Sequence, residues 1–267
     1  DGPPPHLTFA SFGDGQRHAV FTRLGGVSEA PFATLNQSLL VGDNPERVRE
    51  NQRRAQAVLN CKHEQVVNAQ QVHGRHVELV TAADAGHVIP ATDGLITADP
   101  HVVLTMRFAD CVPVLFYSAA QRAVGIAHAG WRGTVLRVAA ETALAMIDAF
   151  GCDPDEIVAG IGPAIGPCCY EVGRDVVEEF ARAFQGMPLV SQCAADGHAH
   201  VDLWQANALQ LAQVGLTHIE QGNYCTQCHR ELLFSHRGDG GRTGRFAAYI
   251  GLQVARSSED EGEYGVD

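Results

Sequence analysis

The chain has 267 residues, of which 31 are Asp or Glu and 19 are Lys or Arg, for a formal charge of −12. A chain this acidic is a poor general binder of nucleic acid or anionic membrane, while one local basic pocket for a phosphate stays compatible with it. Hydrophobic residues make up 45% and charged residues 19%, a globular composition, and no apolar run is long enough to span a bilayer.

The first residues, Asp1-Gly2-Pro3-Pro4-Pro5-His6, show neither the basic nor the apolar segment of an export signal. A cytoplasmic chain with mostly reduced thiols is therefore expected. Residues 18–22 read as a strand ending in the turn signal Arg23-Leu24-Gly25-Gly26. Residues 45–59 read as a helix, with Asn44 as its N-cap and Pro45 at its first position. Short β-branched runs predict strands at 77–80 and 94–97, and stronger ones at 102–106, 112–117 and 123–127. A Gly-rich turn then leads to a predicted helix over 134–150. Residues 157–161 read as a strand, 174–184 and 203–214 as helices, and 246–252 as a closing strand. Strands dominate the middle and helices are segregated, which favours α+β with a mixed sheet over a doubly wound fold. Residues 1–256 are expected to form a single catalytic domain, and 257–267, rich in acid and Gly, a disordered tail.

Few residues stand out for chemistry. His73 sits in Gln71-Val72-His73-Gly74, and Cys111 sits in Ala109-Asp110-Cys111-Val112-Pro113 before an apolar strand. His128 opens His128-Ala129-Gly130-Trp131-Arg132-Gly133. Taken singly, each His is better read as a turn or core residue, and Cys111 as a small hydrophobe. Their spacing matches no local metal signature. The strand-to-helix turn around Gly130 and Gly133 offers free backbone N–H groups, and Arg132 adds forked donors suited to phosphate. An anion site beside an imidazole and a plain turn fit that segment equally.

Cys225-Thr226-Gln227-Cys228-His229 formally matches c-type haem attachment, which normally belongs to an exported protein. A zinc ribbon needs a second Cys pair, and the adjacent Cys168-Cys169 looks a poor partner, because neighbouring residues rarely both ligate one ion. A redox pair or core cysteines are expected instead.

The motifs taken together resemble a known family. Thr22-Arg23-Leu24-Gly25-Gly26-Val27-Ser28, Gln71-Val72-His73-Gly74, Asp93-Gly94-Leu95-Ile96-Thr97 and Ala109-Asp110-Cys111 stand in its order. So do His128-Ala129-Gly130-Trp131-Arg132-Gly133, Gly162-Pro163-Ala164-Ile165-Gly166-Pro167-Cys168-Cys169-Tyr170-Glu171-Val172 and Thr243-Gly244-Arg245. Over about 21–250 the chain resembles the YfiH family of laccase-domain proteins, described as zinc-dependent purine nucleoside phosphorylases. The resemblance implies a single-domain layered α/β sandwich of the α+β class, like that of deamidating bacterial toxins. It implies His73, Cys111 and His128 as metal ligands, with zinc as the cofactor and copper as the alternative. Cys111, His128 and Asp110 are then expected to be catalytic, and Arg132, Arg23 and Gln71 to bind substrate or phosphate. Where the family often has two consecutive Arg near the C-terminus, this chain has His236-Arg237.

Two imidazoles and one thiolate leave tetrahedral zinc a fourth position, as in catalytic sites. Water there can reach a pKa of about 7, which suits adenosine deamination as a side activity. Phosphorolysis instead needs phosphate to attack the ribose while a protonated purine leaves, and Asp93 and Asp110 are the acid candidates. The resemblance implies adenosine, inosine, guanosine and methylthioadenosine with phosphate as substrates, and the expected assembly is a monomer or weak dimer. The rival readings are a copper polyphenol oxidase, a metal-free hydrolase with Cys111 as nucleophile and His128 as base, and a purine-binding module without turnover.

Overall fold

The computed structural model describes residues 2–191 and 197–254, so the expected tail at 257–267 lies outside the described residues. The strands are β1 (His6–Leu7), β2 (Gln16–Phe21), β3 (Val66–Ala69), β4 (Val77–Leu79), β5 (Val88–Ile89), β6 (Gly94–Thr97) and β7 (Val103–Phe108). They continue with β8 (Val112–Ser118), β9 (Ala123–Ala129), β10 (Ile157–Ile161), β11 (Glu171–Val172), β12 (Ala199–His200), β13 (His218–Gln221) and β14 (Phe246–Leu252). The helices are α1 (Pro45–Val58), α2 (Trp131–Val135), α3 (Val138–Phe150), α4 (Arg174–Ala183) and α5 (Leu203–Val214).

Where one mixed sheet was expected, the described strands build two sheets of six strands each and a small β11–β12 pair. The first sheet runs β1-β2-β14-β7-β3-β5 and is parallel only where β3 meets β7 and β5. The second runs β13-β10-β8-β9-β6-β4 and is parallel only at its two ends. The sequence hides this split because the central strands of both sheets are buried on both faces. Along β14, Phe246, Ala248 and Ile250 enter the core between the sheets, while Ala247 and Tyr249 enter the core beneath α1. That is the two-residue period of a strand with no solvated side, so it reads as one apolar run. The outer face of the second sheet packs on α3 and α5 through Val114, Phe116, Ala127, Ala143, Met146 and Leu211. The layers are therefore α1, first sheet, second sheet, then α3 with α5.

Helix α1 begins as its sequence dictates: Asn44 Oδ1 accepts from the Glu46 N–H at 2.8 Å, and Pro45 occupies the first turn. The single helix expected over 134–150 is instead α2 and α3, separated by Arg137 in the left-handed region at φ 68°. The cause is tertiary. Gln210 Nε2 of α5 donates to the Thr134 carbonyl at 2.8 Å, and Asn207 Nδ2 donates to Thr134 Oγ1 at 3.1 Å. The Thr134 carbonyl also accepts the Arg137 N–H at 3.0 Å, a tight turn in place of the helical bond from Val138. No helix among the described residues is long and apolar enough to cross a membrane.

Candidate metal centre

Antiparallel pairing brings distant residues to one end of the second sheet. In register, Val112 of β8 faces Ala129 of β9, and Gly94 of β6 faces Ala127 of β9. Cys111, His128 and Asp93 therefore gather at the same sheet end, although they are far apart in the chain. Asp93 is fully buried and organises the group. Its Oδ2 accepts the N–H groups of Val72 at 3.1 Å and Gly74 at 2.7 Å, and its Oδ1 accepts that of His73 at 3.1 Å. The loop closes around the carboxylate so tightly that His73 takes a φ of 61°, a conformation rare for a residue with a side chain.

The same Oδ1 accepts the Nδ1–H of His128 at 2.8 Å. This bond fixes the ring's orientation and turns Nε2 towards the Cys111 sulfur, as in carboxylate–histidine–metal arrangements. The donor atoms of His73, Cys111 and His128 all lie within 4.8 Å of one another. The two rings meet edge to face with centroids 4.8 Å apart. Burial opposes a charge on Cys111, but the His128 imidazole, then His73, outweighs it and brings the thiol down to about 6. Burial likewise opposes charge on His128, yet the Cys111 sulfur and the Asp93 carboxylate raise it to about 9. The two sustain each other as a thiolate–imidazolium pair, and a divalent ion that took the place of the His128 proton would meet one thiolate and two imidazole nitrogens, the donor chemistry of zinc.

Gly130 is required by space. Its φ of −69° is ordinary, but a Cβ there would lie 2.8 Å from Cys111 Sγ and 3.0 Å from His73 Cδ2. The missing side chain lets the ligands close in.

The other expected site residues have these places. Asp110, at φ 85°, accepts from Thr226 Oγ1 at 2.6 Å, Ser235 Oγ at 2.7 Å and the Arg237 N–H at 2.6 Å. Gln71 pairs both ends of its amide with the Arg107 backbone, at 2.8 and 2.9 Å, and ties the segment before His73 to β7. Arg23 donates to the carbonyls of Ala33 and Arg230 and lies over Phe234 at 4.6 Å. The structure thus gives Gln71 and Arg23 backbone partners. Arg132 stacks on Trp131 at 4.5 Å and, like Cys111, lies near enough to Tyr170 for its charge to act on that hydroxyl.

A cavity of about 360 Å³ lies next to Trp131, walled also by Tyr170, Glu171, Val172, His198 and Arg237. Tyr170 is close enough to the ligand set for the Cys111 charge to reinforce burial in raising its hydroxyl. Arg237 lies over the Tyr170 ring at 5.4 Å. A larger cavity of about 520 Å³ lies along α1 and shares no residue with this site. Sequence reasoning did not single out Tyr170, Thr226 or Ser235. Tyr170 stands inside a quoted motif, whereas Thr226 and Ser235 meet Asp110 only through the fold and carry no signal of their own. The expectation that Cys168-Cys169 would not join Cys225 and Cys228 is also overturned, since the four sulfurs converge within 4.8 Å.

Comparison with known proteins places the chain in a family. Residues 17–253 match the family described as multi-copper polyphenol oxidoreductase laccase. The chain is 40% identical to "Purine nucleoside phosphorylase YlmD" of Geobacillus stearothermophilus, over 86% of this chain and 88% of that protein. It is 38% identical to "Purine nucleoside phosphorylase YfiH" of Escherichia coli K12, over 86% and 91%. The crystal structure of the hypothetical protein YfiH from Bacillus licheniformis superposes with a TM-score of 0.89 at 36% identity, covering 95% of this chain and 98% of that one. The chain therefore belongs to the YfiH family of laccase-domain proteins.

Proposed function

We propose that the chain is a zinc-dependent purine nucleoside phosphorylase, acting on adenosine, inosine, guanosine and methylthioadenosine, with adenosine deamination as a side activity. One observation carries the reading: two imidazoles and a low-pKa thiol converge within 4.8 Å, one imidazole held by a buried carboxylate, with a cavity lined by Trp131, Tyr170, Glu171 and Arg237 nearby. His73, Cys111 and His128 are the ligands. Zinc held there supplies a Lewis acid with one coordination position left for a non-protein group.

The remaining roles fall to the chain. Tyr170 and Trp131 offer faces for the purine. Arg132 and Arg237 supply positive charge for phosphate as it approaches the anomeric carbon. Asp93 keeps His128 oriented. Asp110, engaged by three donors, acts by fixing the segment that carries Cys111. The likeness to deamidating toxins belongs to the same reading, supported by two stacked mixed sheets with helices outside.

The test joins elemental analysis to chromatography of adenosine and inosine with and without phosphate. Zinc together with phosphate-dependent release of free base, lost in Cys111→Ala, supports the reading. Several coppers per chain without base release would point to the polyphenol oxidase. Turnover that alkylation abolishes while the metal content is unchanged would point to the Cys–His hydrolase. Tight nucleoside binding without turnover would leave a binding module.

A further inference from the structure

We propose that Cys168, Cys169, Cys225 and Cys228 form a second metal site, closed by four thiolates around a single zinc ion. It shares no ligand with the first. Tetrahedral zinc with Zn–S distances of about 2.3 Å places its sulfurs roughly 3.8 Å apart. The Cys168 and Cys169 sulfurs stand 3.6 and 3.4 Å from that of Cys228, and all four lie within 4.8 Å of one another. All four are free thiols. Disulfides join cysteines in exclusive pairs, whereas the Cys228 sulfur approaches those of Cys168 and Cys169 about equally, as ligands around one ion do. A two-iron cluster spreads its cysteines over two metals and needs a wider set.

Local structure explains how neighbours in sequence can both ligate. The N–H groups of Cys169 and Tyr170 both donate to the Gly166 carbonyl at 2.9 Å, so Cys168 and Cys169 fan out from one tight turn. The His229 N–H donates to the Cys225 carbonyl at 3.0 Å, and this helical turn sets Cys225 and Cys228 on one side. The two turns approach closely: the Gly166 N–H donates to Cys225 Sγ at 3.3 Å, and a Cβ on Gly166 would lie 3.3 Å from that of Cys225.

Four protein ligands leave no open position, which marks a structural ion rather than a catalytic one. The ion would clamp the segment leading to Tyr170 onto the segment carrying Thr226. Ala164 already bridges to Cys225, and the Thr226 N–H donates to the Ala164 carbonyl at 2.9 Å. Thr226 in turn holds Asp110, the neighbour of Cys111. The second ion thus stiffens the walls of the first site.

The test measures zinc by elemental analysis in the full chain purified without chelator. The expected result is two zinc per chain, with one left in Cys111→Ala and one left in Cys228→Ser. A Cys228→Ser protein that keeps both ions, or a wild-type chain with one ion that Cys111→Ala loses, overturns the proposal. One ion removed by Cys228→Ser alone would uphold this site and overturn the first. If Cys228→Ser fails to fold, the wild-type chain answers by itself. Cys168 and Cys228 are exposed, so iodoacetamide reaches them at once unless an ion holds them. Protection that ends when a chelator is added, mapped to both residues, is expected. Immediate modification overturns the proposal, as does an intact mass short of two or four hydrogens that reduction restores.

Discussion

The two candidate metal sites differ in how the chain builds them. His73, Cys111 and His128 stand where a buried sheet end meets two loops, and a fully buried Asp93 holds one ligand and the backbone of another. The four thiols come entirely from two turns, and Cys168 and Cys228 face solvent. The first set mixes nitrogen and sulfur and stops at three protein ligands, while the second is all sulfur and complete. An incomplete set held by a rigid scaffold suits chemistry, and a complete set on loops suits fastening.

The largest effect should come from breaking the first set. Cys111→Ala should lose phosphate-dependent base release by at least about a thousand-fold, because it removes the one anionic ligand of a Lewis-acid site. Initial rates at saturating phosphate would show it, and near-normal rates would erase the distinction between the sites. Next, Asp93→Asn should weaken metal binding at the first site roughly 10–100-fold, since it frees the His128 ring. Competition with a chromophoric chelator measures this, and the four-thiol ion should be unaffected.

Gly130→Ala sharpens the comparison sterically. Its Cβ would lie 2.8 Å from Cys111 Sγ, so metal affinity at the first site should fall by roughly tenfold. Circular dichroism should show an intact fold.

The smallest effect contrasts His128 with another buried imidazole outside both sites. His18 accepts the Phe9 N–H on Nε2 at 2.7 Å and donates from Nδ1 to Gln16 at 2.7 Å. It is therefore held neutral, and burial lowers it to about 4. The unfolded chain takes up its proton near pH 6.5 and the folded chain only near pH 4, so stability falls as pH drops between those values. Between pH 7 and 5 the wild-type chain should lose about 1–2 kcal/mol more than His18→Gln, measured by urea titration.

Local signals carried most of the elements. The Asn44–Pro45 start, the β-branched runs and the closing strand at 246–252 need only nearby residues. The two-residue strands β1, β5, β11 and β12 carry too little pattern to read. The break at Arg137 depends on Gln210 and Asn207, which lie more than sixty positions away. In the site, the residue types of His73, Cys111 and His128 were legible only as parts of a familiar set of motifs. Their convergence depends on β6, β8 and β9 pairing, which spacing does not encode. The role of Asp93 and the gathering of four cysteines were hidden for the same reason.

The most direct measurement is anomalous diffraction at the zinc edge from crystals of protein that phosphorolyses adenosine. The account predicts a peak among His73, Cys111 and His128 with a non-protein fourth ligand. A peak among the four thiols alone, in active protein, would contradict it.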